Sequence, residues 1–176
     1  IYDLSLATSE VAPLIAAEAP RIGRSLALDT ATGGLYGVGS WQCGAGRSIL
    51  RHDLDTSVVD TVVAARQFPT LLRPYDLAFD SARRRLYWTA ERDAATWAVY
   101  SSAPDGSDYA VVDSGYGSVY GIAVDETDGS LYWPFFQSNN LQIRVRRLDG
   151  TITTIVDQNH DDRVSDVEIE LDELHR

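Results

Sequence analysis

The sequence holds no methionine, no lysine and a single cysteine, Cys43. One thiol forbids an internal disulfide, so the fold must be held by packing, and the redox compartment is left open. In "SWQCGAG" that cysteine also has no adjacent His or Cys, the partners that would make it a metal ligand or a nucleophile. No stretch approaches the roughly 18 consecutive apolar residues of a membrane helix, and no basic-then-apolar leader opens the chain. No membrane span is expected. All 15 cationic side chains are Arg, which with the abundant Ala, Asp, Gly and Val fits a GC-rich coding sequence. The absent initiator Met gives the expectation that Ile1 is not the first translated residue.

Positive charge is scarce as well. Against 26 Asp and Glu the formal net charge is −11, the wrong sign for a phosphate-binding surface, so no nucleic-acid partner is expected. The basic clusters Arg83 to Arg85 and Arg144 to Arg147 read as solvated strand edges and turns. Motifs of catalysis are missing too. There is no Gly-x-Ser-x-Gly elbow, no His-Glu-x-x-His and no phosphate loop, and His52, His160 and His175 are scattered. Helical periodicity is nearly absent; "VAPLIAAEAP" hints at it, and its prolines interrupt it.

What the chain has instead is repetition. "SLALDTATGGLYGV" from Ser25, "DLAFDSARRRLYWT" from Asp76 and "GIAVDETDGSLYWP" from Gly121 align throughout, and "DVEIELDELHR" from Asp166 starts a fourth copy. Leu26, Leu77, Ile122 and Val167 are about 51, 45 and 45 residues apart. Each unit reads as four short strands. The first, such as Leu77-Ala78-Phe79, is apolar on both faces, as a strand between two neighbouring sheets must be. The second carries Leu-Tyr-Trp. The third and fourth flank "APDGSDY" or "RLDGTIT", where Asp-Gly supplies the positive backbone angles of a tight hairpin. Four strands repeated every 40 to 50 residues or so mark the blades of a β-propeller, with the aromatics as wedges between adjacent sheets. The expected fold is therefore all-β, with about three full blades of four antiparallel strands and half-blades at each terminus, in one domain over residues 1–176.

The elements "YDLAFD", "RLYWTA", "APDG" and "YGIAVD", "SLYWPF", "RLDG" resemble the YWTD repeats of the low-density-lipoprotein-receptor class, over most of residues 20–170. That resemblance implies an extracellular, six-bladed binding module rather than an enzyme. The chain departs from the pattern where the family has Thr-Asp after Tyr-Trp: here stand Thr89-Ala90 and Pro134-Phe135, and Gly37 replaces Trp in the first copy. The family's contact through that Asp does not carry over.

Six blades need roughly 260 residues, and this chain supplies about four. Residues 1–16 read as the last two strands of a blade and residues 165–176 as the first strand or two, so together they would make one split blade. Closure as a four-bladed ring, exchange of ends between two copies, and completion by another segment all remain open. Assembly with another copy or chain is favoured, because "LDELHR" is thin material for a wedge strand.

Candidate site residues follow from register. The carboxylates Asp29, Asp80, Asp125 and Glu170 end the first strands, where Asp accepts backbone N–H groups of the turn, so a structural role is expected. Just before the first strands, where a propeller opens its channel, stand Arg24, Tyr75, Tyr120 and Ser165, with Ser25, Asp76, Gly121 and Asp166 beside them. Arg24, Tyr75, Asp76, Tyr120 and Asp166 are the candidate ligand-binding set. In "DQNHDDRVSDVE", Asp157, Asn159, Asp161 and Glu168 fall at positions 1, 3, 5 and 12 of a calcium loop, but Asp162 replaces the Gly at position 6. A solvated acidic loop is the expectation there and calcium binding the alternative; no other cofactor is expected. The leading reading is a non-enzymatic module that binds a protein or glycan through its top face or channel mouth within a larger assembly. The alternatives are a metal-dependent hydrolase or lyase of the gluconolactonase or strictosidine-synthase type, with Asp76, Asp166 and Asn140 as the residues to test, and a structural subunit of a filament or coat.

Overall fold

The computed structural model describes residues 2–4, 11–13, 21–40, 47–64, 73–93, 95–138 and 140–159, and every regular element among them is a strand. A short antiparallel hairpin pairs β1 (Tyr2–Leu4) with β2 (Val11–Pro13). Three four-stranded antiparallel meanders follow. Blade 1 comprises β3 (Arg21–Asp29), β4 (Gly34–Ser40), β5 (Ser48–Asp53) and β6 (Val59–Val63). Blade 2 comprises β7 (Arg73–Asp80), β8 (Arg85–Glu91), β9 (Thr96–Ser102) and β10 (Ala110–Tyr116). Blade 3 comprises β11 (Ala123–Val124), β12 (Leu131–Gln137), β13 (Asn140–Arg146) and β14 (Ile152–Asn159). The fourth unit, from Asp166, lies outside the described residues.

The blade 2 sheet buries both faces because the alternation in its strands sends large residues both ways. In blade 2, Leu77, Phe79, Leu86, Trp88, Ala90, Ala98 and Tyr100 point back onto Tyr36, Val38, Ile49 and Val62 of blade 1. Tyr87, Trp97 and Val99 point forward onto Ile122, Leu131, Trp133 and Phe135 of blade 3. The Leu-Tyr-Trp triplet thus serves two interfaces at once, with Trp88 and Trp133 looking back and Tyr87 looking forward. Burying one such side chain contributes about 2 kcal/mol, so the repeat sums into two continuous apolar layers. Blade 1 has the same backward residues, yet Leu26 and Leu28 are each 47% exposed, whereas their counterparts Leu77 and Phe79 are buried.

The turns repeat as closely as the strands. Gly33, Arg84 and Gly129, each four residues after the buried Asp29, Asp80 and Asp125, all have positive φ. Arg84 is the departure: a left-handed φ of 55° costs a side-chain-bearing residue about 1 kcal/mol. Its guanidinium offsets this by crossing to blade 1, where it pairs with Asp29 at 2.5 Å, and by lying over the Phe79 ring. Within each Asp-Gly pair only the glycine is left-handed, Gly106 at φ 83° and Gly150 at φ 87°, and Asp108 at φ 51° adds a second left-handed residue to the first hairpin. Gly106 N–H donates to Ala103 O and Gly150 N–H to Arg147 O, while Asp105 and Asp149 accept the N–H groups of Ser107 and Thr151. These are type I turns closed by a left-handed glycine, not the two-residue turns that Asp-Gly alone suggests. Outer strands β6, β10 and β14 each carry a register shift, a bulge that bends an exposed edge away from unwanted pairing.

The arginine clusters correct the sequence expectation of solvated edges. Besides Arg84, Arg83 pairs with Asp80 at 3.3 Å and donates to Glu126 O of blade 3 at 2.9 Å. Arg144 of blade 3 pairs with Asp113 of blade 2 at 3.0 Å and lies over Phe135. Guanidinium forks suit such clasps because they donate in several directions while stacking on rings.

Asp29, like Asp80, is fully enclosed, at 0% exposure. Burial by itself raises its pKa, but Arg84, the Thr32 hydroxyl and the Ala31 N–H outweigh burial and hold the carboxyl below its ordinary value. A depressed folded-state pKa contributes stability that is present above the unfolded pKa, about 3.9, and lost as pH falls through the folded value. Asp29→Ala is expected to destabilise by about 3 kcal/mol, since it strands the Arg84 cation between blades. Asp29→Asn is expected to flatten the acid limb of stability against pH; urea unfolding across the acidic range measures both.

Candidate functional site

β7 and β9 run from the channel-mouth end toward the turns, and β8 and β10 return. Register places Arg73 opposite Glu91, Glu91 opposite Trp97, and Tyr116 opposite Thr96, all at one end of blade 2. Two of the predicted residues meet there. Tyr75 and Tyr120, from adjacent blades, form an edge-to-face pair with centroids 5.2 Å apart and planes at 88°. Tyr75 occupies a bulge, because Pro74 pairs with Ala90 and Asp76 with Thr89, leaving it without a register partner. A bulge of this kind re-aims one side chain out of the sheet's alternation. Arg24 lies in the matching irregularity of β3, between Ile22 and Leu26.

The Tyr75 hydroxyl donates to Glu91 Oε2 at 3.0 Å, and Arg73 reaches the same carboxylate at 3.8 Å. Arg47 of blade 1 lies over the Tyr75 ring at 5.4 Å, a favourable cation–π geometry. Burial first, then the hydrogen bond to Glu91, pushes the Tyr75 phenol above its ordinary pKa. A small cavity of about 40 Å³ opens between Tyr75, Glu91, Trp97 and Tyr120, room for little more than one water. Tyr116, at the end of β10, is 70% exposed. Three blades therefore contribute to one surface of tyrosine and arginine around a single carboxylate.

Asp76 has a different role. Its Oδ1 accepts Leu77 N–H at 2.9 Å and its Oδ2 accepts Ile122 N–H of blade 3 at 2.8 Å. Ser25, one repeat earlier, does the same, its Oγ accepting Leu77 N–H at 3.0 Å. Ser25 in β3 and Asp76 in β7 thus each cap an amide at the start of the next blade. Thr89, which stands where the resemblance has the residue before Asp, is buried and donates to Tyr120 O at 3.4 Å. Gly121 has no side chain to continue the series.

Of the calcium-loop positions, Asp157 and Asn159 belong to β14, where their backbones pair with Gln142 and Asn140. The Asp157 carboxylate accepts Asn140 Nδ2 at 2.7 Å and Gln142 Nε2 at 3.2 Å. This also takes Asn140 away from the channel mouth and ties it to the outer edge of blade 3. Asp161, Glu168, Ser165, Asp166 and Glu170 lie outside the described residues. Among the described residues no three His, Cys, Asp or Glu side chains are grouped as a metal site.

No family model matches the chain. Solved structures do. A chain of a nidogen/laminin complex aligns with a TM-score of 0.69 and 22% identity over 90% of this chain and 57% of its own. TolB from Acinetobacter baumannii aligns with a TM-score of 0.63 and 10% identity, and a putative TolB from Agrobacterium tumefaciens with 0.59 and 12%. They cover 90% and 77% of this chain but 38% and 49% of their own lengths. The fold is a β-propeller, and the chain spans about half the length of the structures it matches.

Sequence reasoning located Tyr75 and Tyr120 but missed Glu91, Arg47 and Tyr116. Glu91 was within reach: folding "RPYDLAFD" back on "RLYWTAE" as a hairpin sets it beside Arg73. Arg47 was not, because its partner lies on another blade. Asp76→Ala is expected to lower stability by about 2 kcal/mol, since it leaves the Ile122 N–H without its acceptor, while Ser25 still accepts the Leu77 N–H. Tyr75→Phe, which keeps the ring pair, is expected to change it by less than about 1 kcal/mol; equilibrium denaturation of both variants compares the staple with the surface.

Proposed function

We propose that this chain is a non-enzymatic β-propeller module of YWTD type, which binds a protein through the tyrosine and arginine surface at the channel-mouth end. The observation that carries the reading is the inter-blade pair Tyr75–Tyr120, set with Arg47, Arg73 and Glu91 beside the exposed Tyr116. Tyr and Arg are the residues that dominate binding energy at protein interfaces, because each offers large area and directed hydrogen bonds at little entropic cost. A chain solved within a nidogen/laminin complex has this fold, which is in keeping with a protein partner. An extracellular setting goes with the YWTD-like motifs. Against the hydrolase reading, both oxygens of Asp76, its best-placed carboxylate, accept backbone N–H groups.

The partner is expected to be retained by the immobilised wild-type chain and to lose at least tenfold in affinity in Tyr116→Ala/Tyr120→Ala, as for hot-spot tyrosines. Leu148→Asp, at the turn end, is expected to bind as wild type. Equal loss in both variants would remove the assignment to this surface.

A second observation bears on assembly. Leu26 and Leu28 form an apolar face that the repeat covers everywhere else, so we propose that a further blade, from another copy or another segment, packs against β3. Light scattering on a sizing column is expected to give a mass above that of one 19.4 kDa chain, and Leu26→Asp/Leu28→Asp is expected to reduce it to one chain. A wild-type particle of single-chain mass would contradict this.

A further inference from the structure

At the end opposite the tyrosine surface, blades 1 and 2 part around a cleft of about 500 Å³, within the range of small-molecule sites. Tyr36 and Arg51 line it from the forward face of blade 1, Asp60 from β6, and Arg84 and Asp105 from the turns of blade 2. Val62 and Pro104 supply an apolar wall.

Three features set this cleft apart from a gap between sheets. The Tyr36 hydroxyl is buried, and Arg51, which bonds it, can only donate to it, so its own proton has no acceptor; its ring is stacked on Phe79 at 5.1 Å and 13°, so it cannot turn away. An uncompensated buried hydroxyl costs about 1–3 kcal/mol, which a bound hydroxyl or carbonyl oxygen would recover. Arg84, whose Nη1 is bonded to Asp29, also lines the cleft. The repeat does not build the same cleft between blades 2 and 3. There the counterpart of Arg84 is Gly129, where Arg83 and Leu148 atoms lie within 2.8 Å of where a Cβ would stand. The residue opposite Tyr87 is Ser101, whereas Arg51 stands opposite Tyr36.

Charge decides the ligand class. Arg51 is balanced by Asp53 at 3.3 Å and Arg84 by Asp29, and Asp60 and Asp105 add two further carboxylates to the walls. An anion would meet a net negative lining in a chain already at −11. A neutral molecule carrying hydroxyl groups meets donors on one side and acceptors on the other. We propose that this inter-blade cleft binds a neutral polyhydroxylated ligand, a sugar ring, with Tyr36, Arg51 and Arg84 donating to its hydroxyls and Asp60 and Asp105 accepting from them.

Saturation-transfer NMR on the full chain tests this with glucose, galactose, a disaccharide of each, and inorganic phosphate. At least one sugar is expected to receive saturation, and its affinity to fall roughly three- to tenfold in Tyr36→Phe, the loss of one hydrogen bond. Asp60→Asn, on an exposed side chain, is expected to act in the same direction with an unchanged melting temperature. A disaccharide that binds more tightly than its hexose assigns the site to the end of a glycan, and equal binding assigns it to a free sugar. No transfer to any sugar, transfer unaffected by both variants, or binding of phosphate alone would overturn the proposal.

Discussion

The burial of both faces of the blade 2 sheet is the constraint on which the rest of this structure depends. A four-stranded sheet carrying Leu77 and Phe79 on one side and Tyr87, Trp97 and Val99 on the other has no solvated face to offer. Another sheet must lie on each side, and the strand twist turns a stack of such sheets into a ring. Apolar packing alone would leave adjacent sheets free to slide. Directional ties fix them: Ser25 and Asp76 cap the first-strand amides of the next blade, and Arg84 and Arg144 reach back to carboxylates of the blade before.

This division of labour explains where function can reside. A carboxylate in a propeller channel is a natural suspect for catalysis, yet Asp29, Asp80 and Asp125 are buried in turns, and Asp76 joins two blades. Residues that do not repeat are free of those duties. Arg47 and Glu91 at the channel mouth and Arg51 at the turn end stand at positions that the other blades fill differently, whereas Tyr75 and Tyr120 share one repeat position. Function in a repeat fold sits where the repeat is broken, because a position shared by all blades is already committed to stacking them.

The same distinction governs what the sequence disclosed. Strand positions, the backward and forward faces and the structural use of the Asp column were legible because they recur with fixed spacing and obey the two-residue period of a strand. The equivalent positions of Tyr75 and Tyr120 were legible from register for the same reason, but their ring contact was not. That Asp157 and Asn159 stand in β14 was not legible, because the strand runs farther than its apolar residues do and pairing with Gln142 and Asn140 is silent in a one-dimensional pattern. The arginine clasps were equally hidden: Arg84 and Asp29 are far apart in the chain, and nothing local distinguishes a clasp from a solvated charge.

The central claim is that side chains of one blade cap the innermost amides of the next, making the blades a single mechanical unit. Hydrogen exchange at the Leu77 and Ile122 amides tests it most directly. The account predicts that both exchange as slowly as amides in the central strands β8 and β9, through global unfolding alone. Rapid exchange at both, as for unpaired N–H groups facing an open channel, would contradict it.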